Sequence, residues 1–221
     1  HQFRNQVEFE NFPCASAACL TGKQIEEQLN SRLELLLAED NEMLENFLSK
    51  EFESFVDKML ERAMVLWPNQ GFDLVINREQ QILSPSDFGF HNALKKMNGT
   101  VVFLDFEYFG WDDPVKLICD FAFHPGMELN LVKRKHWFEK TLKLYGDSLL
   151  PRLSASWPLY GLCWVLILLN EFRSDIWGRR RTADPAVKDS QITSQFRQLK
   201  RSKQLLKFID HSVQTNTFEF L

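Results

Sequence analysis

Several things are missing from this chain, and each absence removes a class of function. The nine glycines, at 22, 71, 89, 99, 110, 126, 146, 161 and 178, are too dispersed to build a glycine-rich phosphate loop within the 221 residues. The four cysteines (Cys14, Cys19, Cys119, Cys163) form no C-x-x-C pair. They are too sparse for a disulfide framework and read as reduced thiols of a cytoplasmic protein. Positive charge is not in surplus: the net charge of −4 and pI near 5.8 argue against nucleic-acid binding. The longest apolar run, Pro158 to Leu169, falls short of the roughly 20 residues that cross a bilayer and is expected to be a buried helix rather than a transmembrane segment. No basic segment followed by an apolar one opens the chain, so nothing suggests secretion. Repeats and low-complexity linkers are also lacking.

What is present is ordinary globular chemistry, 44% hydrophobic and 25% charged, consistent with one domain or one large lobe. Between Gly22 and Leu66, Ile25, Leu29, Leu33, Leu36 and Leu37 recur at helical spacing, as do Phe52, Phe55, Val56, Met59 and Leu60. Two helices with a break near Asn41 are expected. Trp67 to Phe72 is a turn cluster in which Pro68 ends the second helix. Short strand-like pieces follow in "FDLVI", "QQILS" and "TVVFLDF". Asp113 suits an N-cap with Pro114 in the first helical position, and His124-Pro125-Gly126 stops that helix. Further helices are expected over 129–145, 158–172 and 190–213. The fold class is therefore α+β, mainly helical, with a small β patch.

That patch has the most specific geometry. Asn98-Gly99 between "NALKKM" and "TVVFLDF" is a strong two-residue hairpin signal, because a type I′ turn needs positive φ at both positions. With those two as the loop, Asn92 lies opposite Asp105, at a Cβ separation of about 4.5–5.5 Å. An amide oxygen and a carboxylate that close suit a hard cation such as magnesium. Asp87, five residues before Asn92, would lie beside them.

With Asp87…Asn92 in "SPSDFGFHNAL" and "LDFEYFGWDDP" from Leu104 to Pro114, the chain resembles the aminoglycoside phosphotransferase and choline kinase family. The resemblance covers about residues 83–123. It implies the helical C-terminal lobe of a protein-kinase-like fold, with a small β-hairpin carrying the site. It implies ATP-dependent transfer of the γ-phosphoryl group to a hydroxyl of a small-molecule acceptor, sugar-like or aminoglycoside-like, with Mg2+ and ATP as cofactors. Asp87 would be the catalytic base, and Asn92 and Asp105 the magnesium ligands. Asp113 would cap the following helix, and Glu107 would sit nearby without an assigned role. The "DFG" at Asp87 then occupies the base position, not that of the metal aspartate.

Three departures accompany the resemblance. Pro85-Ser86 replaces the family's His-Gly, and an aspartate usual three residues after D-P is Leu117, with Asp120 one turn further on. No lysine before residue 83 sits on a convincing strand, so an N-terminal nucleotide-binding lobe is expected to be largely missing from these residues and the isolated chain to be poorly active. A catalytically inactive pseudokinase or binding module is the alternative, and a metal-dependent hydrolase using Asp87, His91 and Asp105 is a weaker third. His91 and His124 read as a loop and a helix-end residue respectively. The "GRRR" at 178–181 reads as a solvated charged loop, and the basic stretch from Gln195 as the last packed helix.

Overall fold

A computed structural model describes residues 11–183 and 190–215. Among these the chain is mainly helical: α1 (Gly22–Leu37), α2 (Glu42–Phe47), α3 (Glu53–Leu66), α4 (Pro114–Phe123), α5 (Leu131–Tyr145), α6 (Leu150–Leu168), α7 (Ser174–Ala183) and α8 (Gln191–Gln214). They fall into two compact units, one of residues 11–24 and 66–156 and the other of residues 25–65 with the described part of 157–215.

In the second unit the expected break is real. Asn41 caps α2 by accepting from the Leu44 amide at 3.1 Å. A π-helical segment, Leu48–Phe52, joins α2 to α3, and Phe47, Leu48, Phe52, Val56 and Met59 are buried along this stretch. Ser202 in α8 donates to the Val165 carbonyl of α6 at 3.2 Å, with Leu199, Leu206 and Ile209 buried on the same helix. The basic run is helical rather than a loop, lying in α7. Arg179 pairs with Asp175 at 2.5 Å and Arg180 with buried Glu171, so these side chains are already matched to acids; Arg181's side chain is outside the described residues. The apolar run belongs to a longer helix than expected, passing through Pro158 instead of starting there. Asp147–Phe172 is long and apolar enough to cross a membrane, but 78% of its apolar window is buried within the protein, as a core helix would be.

The first unit contains all the β structure. Strand β1 (Ile82–Ser84) pairs antiparallel with β4 (Gly110–Asp112), Ile82 opposite Asp112; β2 (Ala93–Lys95) pairs antiparallel with β3 (Val101–Phe103), Ala93 opposite Phe103. The inner ladder is nested within the outer one in chain order. The result is one hairpin interrupted by residues 85–92 on one arm and 104–109 on the other. At Gly110 the N-terminal segment crosses so closely that a Cβ would come within 2.4 Å of the Ala15 nitrogen. The segment "FDLVI" is not a strand: Leu74 and Val75 are exposed, with no apolar face to pair them.

The hairpin turn differs from expectation by one residue. Lys96 N donates to the Thr100 carbonyl at 2.8 Å and Gly99 N to the Lys96 carbonyl at 2.9 Å, a three-residue loop. Only Gly99 takes positive φ (85°); Asn98 instead uses its side-chain oxygen to accept from the Thr100 amide. Asn92 consequently lies opposite Leu104, whose amide donates to the Asn92 carbonyl at 2.8 Å, and not opposite Asp105.

Asp113 caps α4 as expected, accepting from the Val115 amide at 2.9 Å. The same carboxylate takes the fork of Arg152, Nε at 2.9 Å and one terminal nitrogen at 3.0 Å, with both side chains about 5% exposed. Removing one partner of such a buried pair strands the other charge. Arg152→Met is expected to cost about 3–5 kcal/mol, and Asp113→Ala about 1 kcal/mol more because the cap is lost too. Equilibrium urea unfolding of both variants measures this as a drop in midpoint at unchanged slope.

Candidate active site

The loop after β1 is held in a strained shape. Asp87 N donates to the Pro85 carbonyl at 2.9 Å, closing a γ-turn whose central residue, Ser86, has φ of 63°. Glycine adopts that conformation freely, and glycine is what the family pattern carries at this position. Here serine holds it with one local and one long-range bond, its amide to Ser84 Oγ and its hydroxyl to the Ser16 carbonyl, both at 3.1 Å. Phe88 then pins the loop from below. Its ring lies 4.6 Å from Phe103 of β3 and 5.7 Å from Phe121 of α4, which itself packs 4.1 Å from Trp137 of α5.

Asp87, exposed at the loop surface, is gripped by two neighbours. Asn92 Nδ2 donates both to the Asp87 backbone carbonyl at 3.0 Å and to its carboxylate at 3.1 Å. Only the nitrogen end of an amide can donate to both acceptors, which fixes the amide orientation. The Asn92 oxygen faces away and accepts no bond among the described residues. The other Asp87 carboxylate oxygen lies 3.0 Å from His91 Nε2. His91 stacks on His124, ring centroids 4.3 Å apart and planes within 2° of parallel. Gly126 N donates to His124 Nδ1 at 3.0 Å. Burial, with His91 as a second and smaller cause, lowers the His124 pKa and keeps the ring neutral.

Asp105 stands on the opposite arm, directly after the residue that pairs with Asn92. Its φ of 61° is left-handed, a second strained residue in the same interruption. The carboxylate is exposed and has no hydrogen bond or ion pair among the described residues. Tyr108 reports the local field: its pKa is raised, first by a hydrogen bond from its hydroxyl to Glu107, then by the charge of Glu107, and in smaller measure by Asp105 and Asp87. Asp87, Asp105 and Glu107 thus act on one phenol from both arms.

The donor types of Asn92 and Asp105 suit magnesium, although the ladder sets Asn92 opposite Leu104 rather than Asp105. The Asn92 amide oxygen and the Asp105 carboxylate are hard oxygen donors with no competing partner, as magnesium requires. Asp87, His91 and His124 bring ligand atoms within 4.8 Å of one another. Yet imidazole lone pairs lie in the ring plane, and two parallel stacked rings direct theirs into planes that never meet. The nitrogen of His124 that accepts from Gly126 is also occupied, so in this arrangement the three residues form a hydrogen-bonded stack.

Comparison of the chain with protein-family models, with curated proteins and with solved structures found no match. The chemistry of the site therefore stands on its own geometry. The structure brings Asp87 and Asn92 into contact and places Asp105 one residue beyond Asn92's strand partner. Sequence reasoning missed the partnership of His91 with His124, because the two lie on different loops and no spacing links them.

Behind the site a charged ladder follows i,i+4 spacing from Asp112 through Lys116 and Asp120 to His124. Lys116 Nζ binds Asp120 at 2.5 Å, and the Asp120 carbonyl accepts from the His124 amide. Burial opposes the charge on Lys116, but Asp120 and Asp112 outweigh it and raise its pKa. Asp112 accepts from the Cys19 and Asp113 amides through one oxygen while the other is buried without a partner. Burial is the largest influence on Asp112 and pushes its pKa up to about 7, with Lys116 opposing. A carboxyl raised in the folded state supplies stability that is present below the unfolded pKa near 3.9 and lost as pH rises through about 7. Asp112→Asn should therefore remove a pH-dependent loss of up to about 4 kcal/mol. Denaturant unfolding of both proteins at pH 3, pH 5 and pH 8 should show the variant's advantage absent at pH 3, partial at pH 5 and largest at pH 8.

Proposed function

We propose that the chain is the acceptor-side lobe of an ATP-dependent phosphotransferase that acts on a hydroxyl of a small, sugar-like or aminoglycoside-like molecule. The observation carrying this reading is the Asn92 amide: its nitrogen end clasps both the backbone and the carboxylate of Asp87, which leaves its oxygen available as a hard donor. One residue thereby separates a base from a cation site. Ser86 supports catalysis over the non-catalytic alternative, since the loop keeps a glycine-type backbone without the glycine.

In this mechanism Asp87 orients the acceptor hydroxyl and takes its proton as that oxygen bonds the γ-phosphorus and the bond from the γ-phosphorus to the bridging oxygen breaks, releasing ADP. Asn92 and Asp105 would hold magnesium, which when bound neutralises charge on the phosphate oxygens. With no glycine-rich loop in the sequence and no strand lysine before residue 83 among the described residues, phosphate cover and counter-charge come from an N-terminal lobe in this reading. Assays accordingly use the protein with that lobe.

Calorimetric titration of Mg·ATP separates the roles. Asp105→Ala should abolish magnesium-dependent nucleotide binding. Asp87→Asn should leave binding nearly intact while slowing turnover by about 10²–10⁴-fold, because a base acts on the transition state and not on nucleotide affinity. Equal loss of binding in the two variants would overturn the assignment.

A further inference from the structure

We infer that His91, backed by His124, is a positioning residue that holds the Asp87 carboxylate in its reactive orientation; this rests on the phosphotransferase reading above. Asp87 is exposed and sits on a loop, where a short side chain ordinarily samples several rotamers. Two donors remove that freedom. Asn92 fixes one oxygen at 3.1 Å, and His91 Nε2 fixes the other at 3.0 Å. Because Asn92 also binds the Asp87 carbonyl, it alone leaves the carboxylate free to swing about the Asn92 contact. The His91 contact stops that swing.

His91 is itself restrained by His124 on one ring face and by the close approach of Gly89. His124 stacks on one face at 4.3 Å. At Gly89 an added Cβ would lie 2.7 Å from the His91 Nδ1 and Cε1 atoms, so only glycine leaves the ring its place. His124 is fixed in turn: its Nδ1 accepts from the Gly126 amide, and the His124 amide donates to Asp120 at the end of α4. The chain of support runs from the rigid helix end through two stacked rings to the carboxylate. The groups facing this pair are Asp87, Asp120 and each other.

The test uses steady-state Mg·ATP hydrolysis, with water as the acceptor, and Mg·ATP calorimetry on the parent, His91→Phe, His91→Gln and Asp87→Asn. Phenylalanine keeps the stack but cannot donate, so kcat should fall about 10- to 100-fold with the Mg·ATP Kd unchanged. Glutamine places an N–H donor at similar reach and should recover a large part of that loss. A thermal melt of His91→Phe within a few degrees of the parent separates positioning from folding. Unchanged kcat in His91→Phe while Asp87→Asn abolishes turnover overturns the brace and leaves the phosphotransferase reading standing. Equal defects in His91→Phe and His91→Gln also overturn it, since the donor would then be irrelevant. Turnover that is absent from the parent, or indifferent to Asp87→Asn, overturns the underlying reading and the brace with it.

Discussion

One carboxylate, that of Asp113, fixes the frame on which the site is built. It satisfies an orphan amide at the start of α4 and accepts the planar fork of Arg152 in a buried setting. Since β4 ends at Asp112, the strand's end, the helix's start and the beginning of α6 meet at this point. Displacing either partner of this buried pair leaves a charge uncompensated, which is costly. The outer ladder, β1 with β4, is thereby tied to α4, and α4 in turn presents Phe121 and His124 to the loop that carries Asp87.

Much of this frame was legible in the sequence where the signal was local. The Asp113-Pro114 start of α4, its stop at His124-Pro125, the Asn41 break and the strands around Asn98-Gly99 all follow from residues acting on their own neighbourhood. The hairpin register was less legible. Asn98 had two ways to serve the turn, with a positive φ or with its side-chain oxygen on Thr100, and the choice shifts every partner by one. Strand β4, "GWD", has low intrinsic strand preference and exists because Ile82 to Ser84 pair with it. The His91–His124 stack joins residues on separate loops, and only the folded chain shows it.

The interruption in the hairpin also concentrates unfavourable local terms. Ser86 and Asp105 both occupy left-handed backbone, and three carboxylates crowd around Tyr108. Strain and like charge of this kind persist only where the surroundings enforce them. Here the enforcing parts are the Phe88 aromatic cluster below and the two ladders on either side. Away from this region the molecule is conventional, with helices packed on buried Leu, Ile and Phe and acids matched to bases on the surface.

The double grip of Asn92 on Asp87 carries a consequence for how these two positions can vary. Because one amide group reads both the backbone and the side chain of residue 87, the two residues behave as a single thermodynamic element. Replacing either frees the other to turn, so the effects of the two replacements cannot sum. Change by descent is constrained in the same way: an altered residue at 92 leaves an aspartate held by His91 alone, and the route to a different pairing passes through a state in which the backbone and one carboxylate oxygen of Asp87 have lost their partner.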